Sequence, residues 1–268
     1  MRLSVRHVTH FEYDSVLDYS VQRLHLTPLS FVSQKVVQWA ITTPGIENAL
    51  SYIDGFGNIV YLVTCSNIKG PVEVIAEGLV DCENAGGLVS GVVCAAPNSV
   101  FLRQTVATRP SALIQEKVQT SISQLQGLEQ LHGLMASIHK QVEFTIGATD
   151  ASTTGAEAFL SGRGVCQDHT HIFLGVARSL GFAARYVTGY LVTGIGASSS
   201  ASHAWAEAFV PDLGWVGFDA ANGICPTDHY VRVAAGIDAA AVTPIRGSRR
   251  GGAQETMTVE VRVEIDQQ

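Results

Sequence analysis

The first hundred residues alternate between apolar and polar positions, as half-buried β-strands do. In the segment LSVRHVTHFEYD, the odd-numbered positions 5–13 would share one face of a strand. Other runs rich in β-branched and aromatic residues are VVQWAITTPG, NIVYLVTCS and PVEVIAEGLVD. The segment DGFGN at 54–58 predicts a turn. We therefore expect an antiparallel β-sandwich over residues 1–108, with the Ala- and Gly-rich stretch 84–98 as a loop.

Near residue 110 the spacing of apolar residues changes from that of a strand to that of a helix. Pro110 followed by Ser111 indicates a helix start, and residues 127–142 carry leucines, a methionine and an isoleucine at helical spacing. No internal repeat is evident. The sequence thus predicts two domains, an N-terminal β-rich domain over residues 1–108 and a second domain over residues 109–268.

The second half alternates between predicted helices and strands. Thr154 and Glu157 form a capping-box pattern for a short helix that ends at Gly162. The segment CQDHTHIFLGVARSLG then has apolar residues at a spacing of about 3.6, and Gly181 provides the C-terminal stop. The following segment, ARYVTGYLV, has the composition of a strand. The Gly-, Ser- and Ala-rich segment 193–202 predicts a mobile loop.

The remaining segments predict a β-hairpin and one further strand. HAWAEAFV and WVGFDA would be the two hairpin strands, joined by a turn at 211–214. The final segment, ETMTVEVRVEID, alternates as a half-buried strand does. Between them, the short basic run 246–250 is expected to be a solvated turn.

Composition excludes several classes of function. The chain has 46% hydrophobic and 15% charged residues and a formal net charge of −7. An acidic chain lacks the clustered positive charge that nucleic acids need, so we expect no nucleic-acid partner. No apolar run approaches the roughly 20 residues of a membrane span, and the N-terminus lacks a signal-peptide pattern. The five cysteines are odd in number and have no CxxC spacing. We therefore expect a cytoplasmic protein without disulfides and with no membrane partner.

The most reactive residue types cluster in the segment GRGVCQDHTH, and a metal site is one interpretation of them. Cys166, His169 and His171 have the right ligand atoms for zinc. On a helix, however, residue 171 lies roughly 140° around the cylinder from residue 166. Three ligands could then converge only if the helix were broken. We therefore expect no metal and no cofactor.

A structural cysteine is the second interpretation, and a nucleophile is the third. Four cysteines have no catalytic residues nearby and are expected to pack as small apolar side chains: Cys65, Cys82, Cys94 and Cys225. Cys166 instead falls in the first turn of a predicted helix, where unpaired backbone N–H groups and the helix dipole stabilise an anion. The same N–H groups can donate to the oxyanion that forms when a carbonyl is attacked. Cys166 is therefore the candidate nucleophile.

A nucleophilic cysteine needs a base, and the base needs a partner that orients it. His203 opens a predicted strand, and the opposing strand carries Asp219 among apolar residues. A buried aspartate is costly unless it is paired, and an imidazole N–H would pair it. With a regular four-residue turn, His203 and Asp219 would point to opposite faces. We therefore predict a bulge, or a loop of three or five residues, which shifts the register by one.

These residues resemble a known family. GRGVCQDHTHIFLGVARSLGFAARYVTGYL, SHAWAEAFVPDLGWVGFDAANG and the tail HYVRVAAGIDAAAVTPIRGSRRGG are similar to the bacterial transglutaminase-like superfamily in order and spacing. The resemblance implies an α+β fold with a papain-like, transglutaminase-type core, preceded by a β-domain. It also implies a catalytic triad of Cys166, His203 and Asp219, with Gln167 as a family-motif residue beside the substrate cleft. Trp205, which shares a strand face with His203, is a candidate wall of that cleft or a core residue.

The resemblance further implies acyl transfer on a peptide or protein amide through a thioester at Cys166. Water would resolve the thioester by default, as in a cysteine peptidase or amidase. Transfer to an amine is the alternative reaction. A catalytically silent binding module on the same fold is the alternative from another class. The two histidines His169 and His171 are expected to be a helix-surface residue and a packed residue rather than a second base.

Overall fold

The computed structural model describes residues 1–192, 202–252 and 254–266. Over these residues the chain forms three main antiparallel sheets, a two-stranded parallel pair and four α-helices, together with short 3-10 and π segments. The strands, in chain order, are β1 (Arg2–Tyr13), β2 (Leu17–Thr27), β3 (Gln34–Thr42), β4 (Leu50–Ile53), β5 (Ile59–Ile68), β6 (Val72–Cys82), β7 (Leu88–Val89), β8 (Glu143–Phe144), β9 (Arg163–Gly164), β10 (Ala184–Leu191), β11 (His203–Val210), β12 (Gly214–Phe218), β13 (Tyr230–Gly236), β14 (Ile245–Gly251) and β15 (Glu255–Ile265). The helices are α1 (Ala112–Ile114), α2 (Gly127–Gln141), α3 (Gly155–Ser161) and α4 (Cys166–Ser179).

The alternating N-terminal segments form the predicted sandwich. One sheet has the strand order β15-β1-β6-β3, and the other has the order β14-β2-β5-β4. In β1 the buried residues recur at every second position from Leu3 to Phe11, so one face meets the core. Side chains from both sheets share one apolar cluster that includes Phe11, Leu24, Val63 and Val74. The alternation alone therefore predicts which face of β1 is buried.

The second architectural unit is a five-stranded sheet covered by helix α4. Its strand order is β13-β10-β11-β12-β7, and every neighbouring pair is antiparallel. Phe173 of α4 stacks on Phe218 of β12, with ring centroids 5.2 Å apart. A Cβ at Gly175 would lie only 2.0 Å from the backbone carbonyl oxygen of Thr108, so only glycine fits at this position. The helix is therefore held close to the sheet on one side and to the 105–108 segment on the other.

Helix boundaries follow the capping signals in the sequence. Ser111 caps α1 by accepting a hydrogen bond from the Ile114 N–H. Thr154 and Glu157 form the predicted capping box of α3, and Gly162 ends that helix with a φ of 69°. Gly181, just past α4, has a φ of 90°. Within the described residues, no helix is both long and apolar enough to cross a membrane.

Each half of the chain contributes strands to a sheet formed mainly by the other half. Strand β7, which lies inside the stretch 84–98 expected to be a loop, pairs with β12 through Val89 and Trp215. In the other direction, β14 pairs with β2 and β15 pairs with β1. The loop prediction is therefore wrong at Leu88–Val89, because two residues are too few to show a strand period. The boundary between residues 108 and 109 stays a prediction.

The expectation of a solvated turn at 246–250 is also wrong. These residues belong to β14, whose backbone pairs with β2 along the edge of the second sheet. Their side chains are exposed, so the segment has a turn-like composition although its backbone is fully extended. Side-chain polarity reports solvent exposure, and an edge strand with exposed faces has the same polarity as a loop.

Candidate active site

Cys166 is the first residue of α4, directly after the short parallel pair β8–β9. At this position its backbone N–H has no acceptor within the helix. The side chain is half-buried, and the carbonyl of Cys166 accepts a hydrogen bond from the Thr170 hydroxyl at 2.7 Å. The thiol therefore lies at the helix N-terminus, where the helix dipole favours a thiolate.

Asp168 fixes the backbone just before Cys166. One of its carboxylate oxygens, Oδ2, accepts hydrogen bonds from the Val165 N–H at 2.8 Å and from the Thr149 hydroxyl at 2.6 Å. The side chain is fully buried, and this burial raises the pKa of the carboxyl group. A Cβ at Gly164 would lie 2.8 Å from the same oxygen, so only glycine leaves room for this contact. Asp168 thus fixes the backbone that leads into Cys166.

The hairpin β11–β12 has the shifted register that the sequence requires. Val210 pairs with Gly214, so the loop contains only three residues, and Asp212 in it has a φ of 66°. Further along, Ala206 pairs with Phe218. Because side chains alternate along a strand, Asp219 then lies on the same face as His203. The predicted departure from a regular four-residue turn is confirmed as a three-residue loop.

Asp219 is a buried hydrogen-bond acceptor for His203 and three neighbours. Its Oδ2 atom lies 2.6 Å from Nε2 of His203 and accepts from the Tyr230 hydroxyl at 2.8 Å and the Asn222 amide at 2.7 Å. Its Oδ1 atom accepts from the Ala221 and Asn222 backbone N–H groups. Burial raises the pKa of Asp219, but the hydrogen bonds and the charge of His203 outweigh it, so the pKa lies below the usual value.

His203 lies between Asp219 and Cys166 and is held in its protonated form. Burial is the largest single influence and lowers its pKa, but hydrogen bonds to Asp219 and Cys166, together with their charges, raise it to about 10. Because Asp219 contacts Nε2, the other ring nitrogen, Nδ1, is left for the thiol. The three predicted catalytic side chains are thus brought together as a thiol, an imidazole and a carboxylate in series.

Trp205 lies beside His203, and Gln167 follows Cys166 along α4. The Trp205 ring is stacked near His203, with centroids 6.2 Å apart, and is only 2% exposed. It also lines a cavity of about 40 Å³ together with Tyr230, Arg232 and Glu207. Gln167 follows Cys166 in the first turn of α4 and is half-buried. The predicted roles of Trp205 and Gln167 in a substrate cleft stay predictions.

Neither histidine of the CQDHTH segment is placed as a second base. His169 is buried, not on the helix surface as expected, because its ring nitrogens lie 2.8 Å and 3.0 Å from the Val165 and Val142 carbonyls. His171 is packed as expected, beside the Tyr186 ring. Burial lowers the pKa of His171 to about 4, so the ring is neutral near pH 7. Among the described residues, no three His, Cys, Asp or Glu side chains are grouped to hold a metal ion.

The other four cysteines are buried or half-buried free thiols. Cys82 is buried in the main apolar core, and burial raises its pKa to about 12. Burial also raises the pKa of Cys65 and of Cys225, both of which are half-buried. Cys94 is half-buried, with its sulfur near the Gly55 and Ala96 carbonyls. The predicted mobile loop at 193–202 lies outside the described residues except for Ser202.

Two residues that contact Asp219, Asn222 and Tyr230, were not predicted from the sequence. Asn222 and Tyr230 both donate to its carboxylate, but neither stands at a recognisable spacing from the predicted catalytic residues. Asn222 is three residues after Asp219, in the turn that follows β12, and Asn three positions after Asp is a usable turn signal. Tyr230 lies on β13, and only the sheet order brings it near the site.

Comparison with known proteins agrees with this architecture. Residues 114–220 match the Transglutaminase-like superfamily, and residues 3–81 match the Bacterial transglutaminase-like N-terminal region. Uncharacterised proteins of Mycobacterium leprae and Mycobacterium bovis are each 28% identical, over 97% and 92% of this chain and 98% and 87% of their own. A solved structure from Cytophaga hutchinsonii, described as a candidate cysteine protease, has a TM-score of 0.77 at 19% identity. That likeness covers 100% of this chain and 92% of the other and concerns the fold.

The two sequence matches follow one another along the chain in the order of the observed architecture. The match over residues 3–81 covers strands of the sandwich. The match over residues 114–220 covers the helix bearing Cys166 and the hairpin bearing His203 and Asp219. The fold is accordingly a papain-like, transglutaminase-type core with an N-terminal β-region. Residues 114–220 therefore form a transglutaminase-like core, and residues 3–81 form the bacterial transglutaminase-like N-terminal region that precedes it.

Proposed function

We propose that this protein catalyses cysteine-dependent acyl transfer on peptide or protein amides, with water as the usual acceptor. The observation that carries the proposal is the 2.6 Å contact between His203 and the buried Asp219, with Cys166 at a helix N-terminus on the other side of the imidazole. A protonated imidazole beside a thiol favours the thiolate form, which is the nucleophile.

The reaction follows from the proton positions. The Cys166 thiolate attacks the amide carbonyl carbon, and the backbone N–H of Cys166 donates to the oxyanion. His203 then gives its proton to the amide nitrogen, which leaves as an amine while a thioester remains on the sulfur. Water attacks the thioester as His203 takes its proton, and the carboxylic acid and the thiolate are released. Asp219 orients the ring and stabilises its charged form throughout.

The acceptor and the setting belong to the same proposal. Water is present at high concentration, so hydrolysis is the default, whereas an amine acceptor would give cross-linking or amide exchange. The acidic composition and few cysteines fit a reducing, cytoplasmic setting without a nucleic-acid or membrane partner. An intact Cys166, His203 and Asp219 are a reason to prefer an enzyme to a silent binding module.

Alkylation kinetics test the nucleophile directly. We expect iodoacetamide to label Cys166 much faster than the other four thiols, because the helix N-terminus and His203 favour its thiolate. Peptide mapping by mass spectrometry identifies the labelled residue. The Cys166→Ala variant should lose all amide turnover and keep the wild-type melting temperature, and Cys94→Ala, which removes another half-buried thiol, should keep both.

Trapping the acyl-enzyme then identifies the substrate. Mass spectrometry of Cys166-containing peptides after rapid acid quenching should reveal an added acyl group, whose mass gives the donor. Incorporation of a labelled primary amine into a glutamine-bearing protein would assign amine transfer instead of hydrolysis. Equal, slow alkylation of all five thiols, or turnover retained in Cys166→Ala, would contradict the proposal.

A further inference from the structure

Strand β13 lies at the edge of the five-stranded sheet, and amide side chains from the N-terminal half of the chain bind its backbone. The Gln34 side chain accepts from the Arg232 N–H at 2.7 Å and donates to the Arg232 carbonyl at 2.9 Å. The same amide nitrogen donates to the Leu29 carbonyl at 2.7 Å. Gln34 is only 2% exposed. One primary amide therefore contacts β13 through the donor and acceptor pattern of a neighbouring strand.

A second amide repeats this contact farther along the strand. Asn58 accepts from the Ala235 N–H and donates to the Ala235 carbonyl, both at 2.8 Å. Asn58 is itself fixed by two hydrogen bonds to Asp54 at 2.9 Å, and it has no exposed surface. Asp54 and Asn58 are the first and last residues of the DGFGN turn. The turn thus anchors β13 as well as joining two strands.

β13 in turn carries a side chain to the catalytic carboxylate. The Tyr230 hydroxyl donates to Oδ2 of Asp219 at 2.8 Å, the same oxygen that contacts His203. The Tyr230 ring meets the rings of Trp205 and His203 edge-on, with centroids 5.4 Å and 6.0 Å away. Two residues farther along, Arg232 contacts the buried Glu207 at 2.8 Å. Tyr230 is therefore fixed at both its ring and its hydroxyl.

We propose that Tyr230 is a positioning residue for the Asp219–His203 pair, and that the β-sandwich holds the strand that bears it through Gln34. The inference rests on the function proposed above and assigns a part in it to the N-terminal region. A hydroxyl donor on Oδ2 keeps Asp219 ionised and fixes the direction of its carboxylate. The His203 ring then has one preferred orientation towards Cys166. Tyr230 itself touches no reacting atom.

The Tyr230→Phe variant tests the hydroxyl while keeping the ring contacts. We expect kcat to fall about tenfold at unchanged KM, because a hydrogen bond to a charged group is lost and substrate contacts are not. The acid limb of the Cys166 alkylation rate should also move to higher pH, since Asp219 loses a donor that favours its ionised form. The alkylation measurement needs no substrate.

Tyr190→Phe is the matched control. Tyr190 is also buried, and its hydroxyl contacts His7 at 3.0 Å, away from Asp219. The Tyr190→Phe variant should change the melting temperature without moving the acid limb of the Cys166 alkylation rate. A Tyr230→Phe profile that coincides with the wild-type profile, while wild-type Cys166 is still labelled faster than the other thiols, overturns the positioning role alone. A wild-type Cys166 that reacts like the other thiols overturns the proposed function and the positioning role with it.

The Gln34→Leu variant tests the part of the sandwich. It keeps a side chain of similar size but leaves the Arg232 N–H and carbonyl without these partners. We expect kcat to fall about threefold, with less than the additive loss when it is combined with Tyr230→Phe, because both act on one chain of contacts. Additive losses in the double variant would overturn the role of Gln34. Should Gln34→Leu fail to fold, the Tyr230→Phe and Tyr190→Phe pair still decides the positioning role.

Discussion

At the residue scale, a carboxylate buried among apolar strands needs several donors to stay ionised. Asp219 has five hydrogen bonds and no exposed surface. Asp168 is equally buried, but only one of its oxygens is paired, and burial raises its pKa. The two carboxyl groups therefore differ in environment: Asp219 is held as an anion beside His203, whereas Asp168 holds backbone in place.

The charge of Asp219 sets the pH range in which His203 stays protonated, and the Asp219→Asn variant tests this. The pKa of His203 is raised to about 10, so its proton is present below that pH and is lost as the pH rises through it. Without the carboxylate charge, this loss should occur at lower pH, nearer the ordinary imidazole value of 6.5. The alkaline limb of kcat/KM should shift accordingly. If Asp219 has the proposed triad role, kcat, and with it kcat/KM, should fall about 10⁴-fold.

The control for this measurement is Asp212→Asn in the same hairpin. Asp212 is exposed and has a φ of 66°, a conformation that asparagine adopts readily. It should leave both the alkaline limb and kcat/KM unchanged. An alkaline limb in Asp219→Asn that stays where the wild-type limb lies would contradict the assigned role of the charge.

At the element scale, the position of α4 depends on close packing against the segment before α1. The Thr108 carbonyl occupies the space that a Cβ at Gly175 would need, and the Gln104 amide donates to the Gly175 carbonyl at 2.8 Å. Arg178, one helical turn later, donates to the Thr108 hydroxyl at 3.2 Å. The helix that presents Cys166 is thus placed by contacts near its C-terminal half.

The Gly175→Ala variant tests this contact. Because the obstacle is backbone, the helix or the segment must move, and we expect a loss of about 1–3 kcal/mol in the free energy of unfolding. Urea denaturation followed by circular dichroism measures it. Gly133→Ala in α2 is the control, since the atoms nearest to its Cβ would belong to the side chains of Leu125 and Ile122 and not to backbone. A Gly175→Ala midpoint equal to or above that of Gly133→Ala would contradict the packing argument.

Elements also differ in how far the sequence predicts them. Long segments with a clear period, such as β1 and α4, were predicted because each residue's exposure follows from its neighbours on the same element. The two-residue strand β7 and the polar strand β14 were not, because their pairing partners lie more than a hundred residues away. The β11–β12 hairpin was predicted from the sequence only in part. Its need for a shifted register followed from His203 and Asp219, whereas the three-residue loop was decided by the fold.

At the scale of the whole molecule, the chain termini and the sandwich are interdependent. β15 pairs with one edge of β1 from Leu3 to Tyr13, and Val261 and Val263 of β15 are buried in the main core. β14 similarly extends the second sheet. In the opposite direction, β7 pairs with β12 of the five-stranded sheet, and Gln34 and Asn58 bind the backbone of its edge strand β13. Each half of the chain therefore supplies edges that the other half needs.

A fragment covering residues 109–268 should accordingly fail to fold by itself. It would keep β14 and β15 without β2 and β1, exposing apolar side chains and unpaired strand edges that promote aggregation. Circular dichroism and size-exclusion chromatography measure the outcome, with the full chain as the control. Co-expression with residues 1–108 should restore soluble, folded material. A monodisperse 109–268 fragment with a cooperative thermal transition would contradict this interdependence.

The sequence by itself determined the strand-rich start, the helix that begins at Cys166 and the three residue types of the candidate site. It could do so because period, capping residues and a lone buried aspartate are local signals. Only the tertiary structure decided that Tyr230 and Asn222 contact Asp219. It also decided that Gln34 and Asn58 bind the backbone of β13, the strand that carries Tyr230. Such contacts join segments far apart in the chain, and an amide or hydroxyl carries no mark of its partner until the sheets bring the two together.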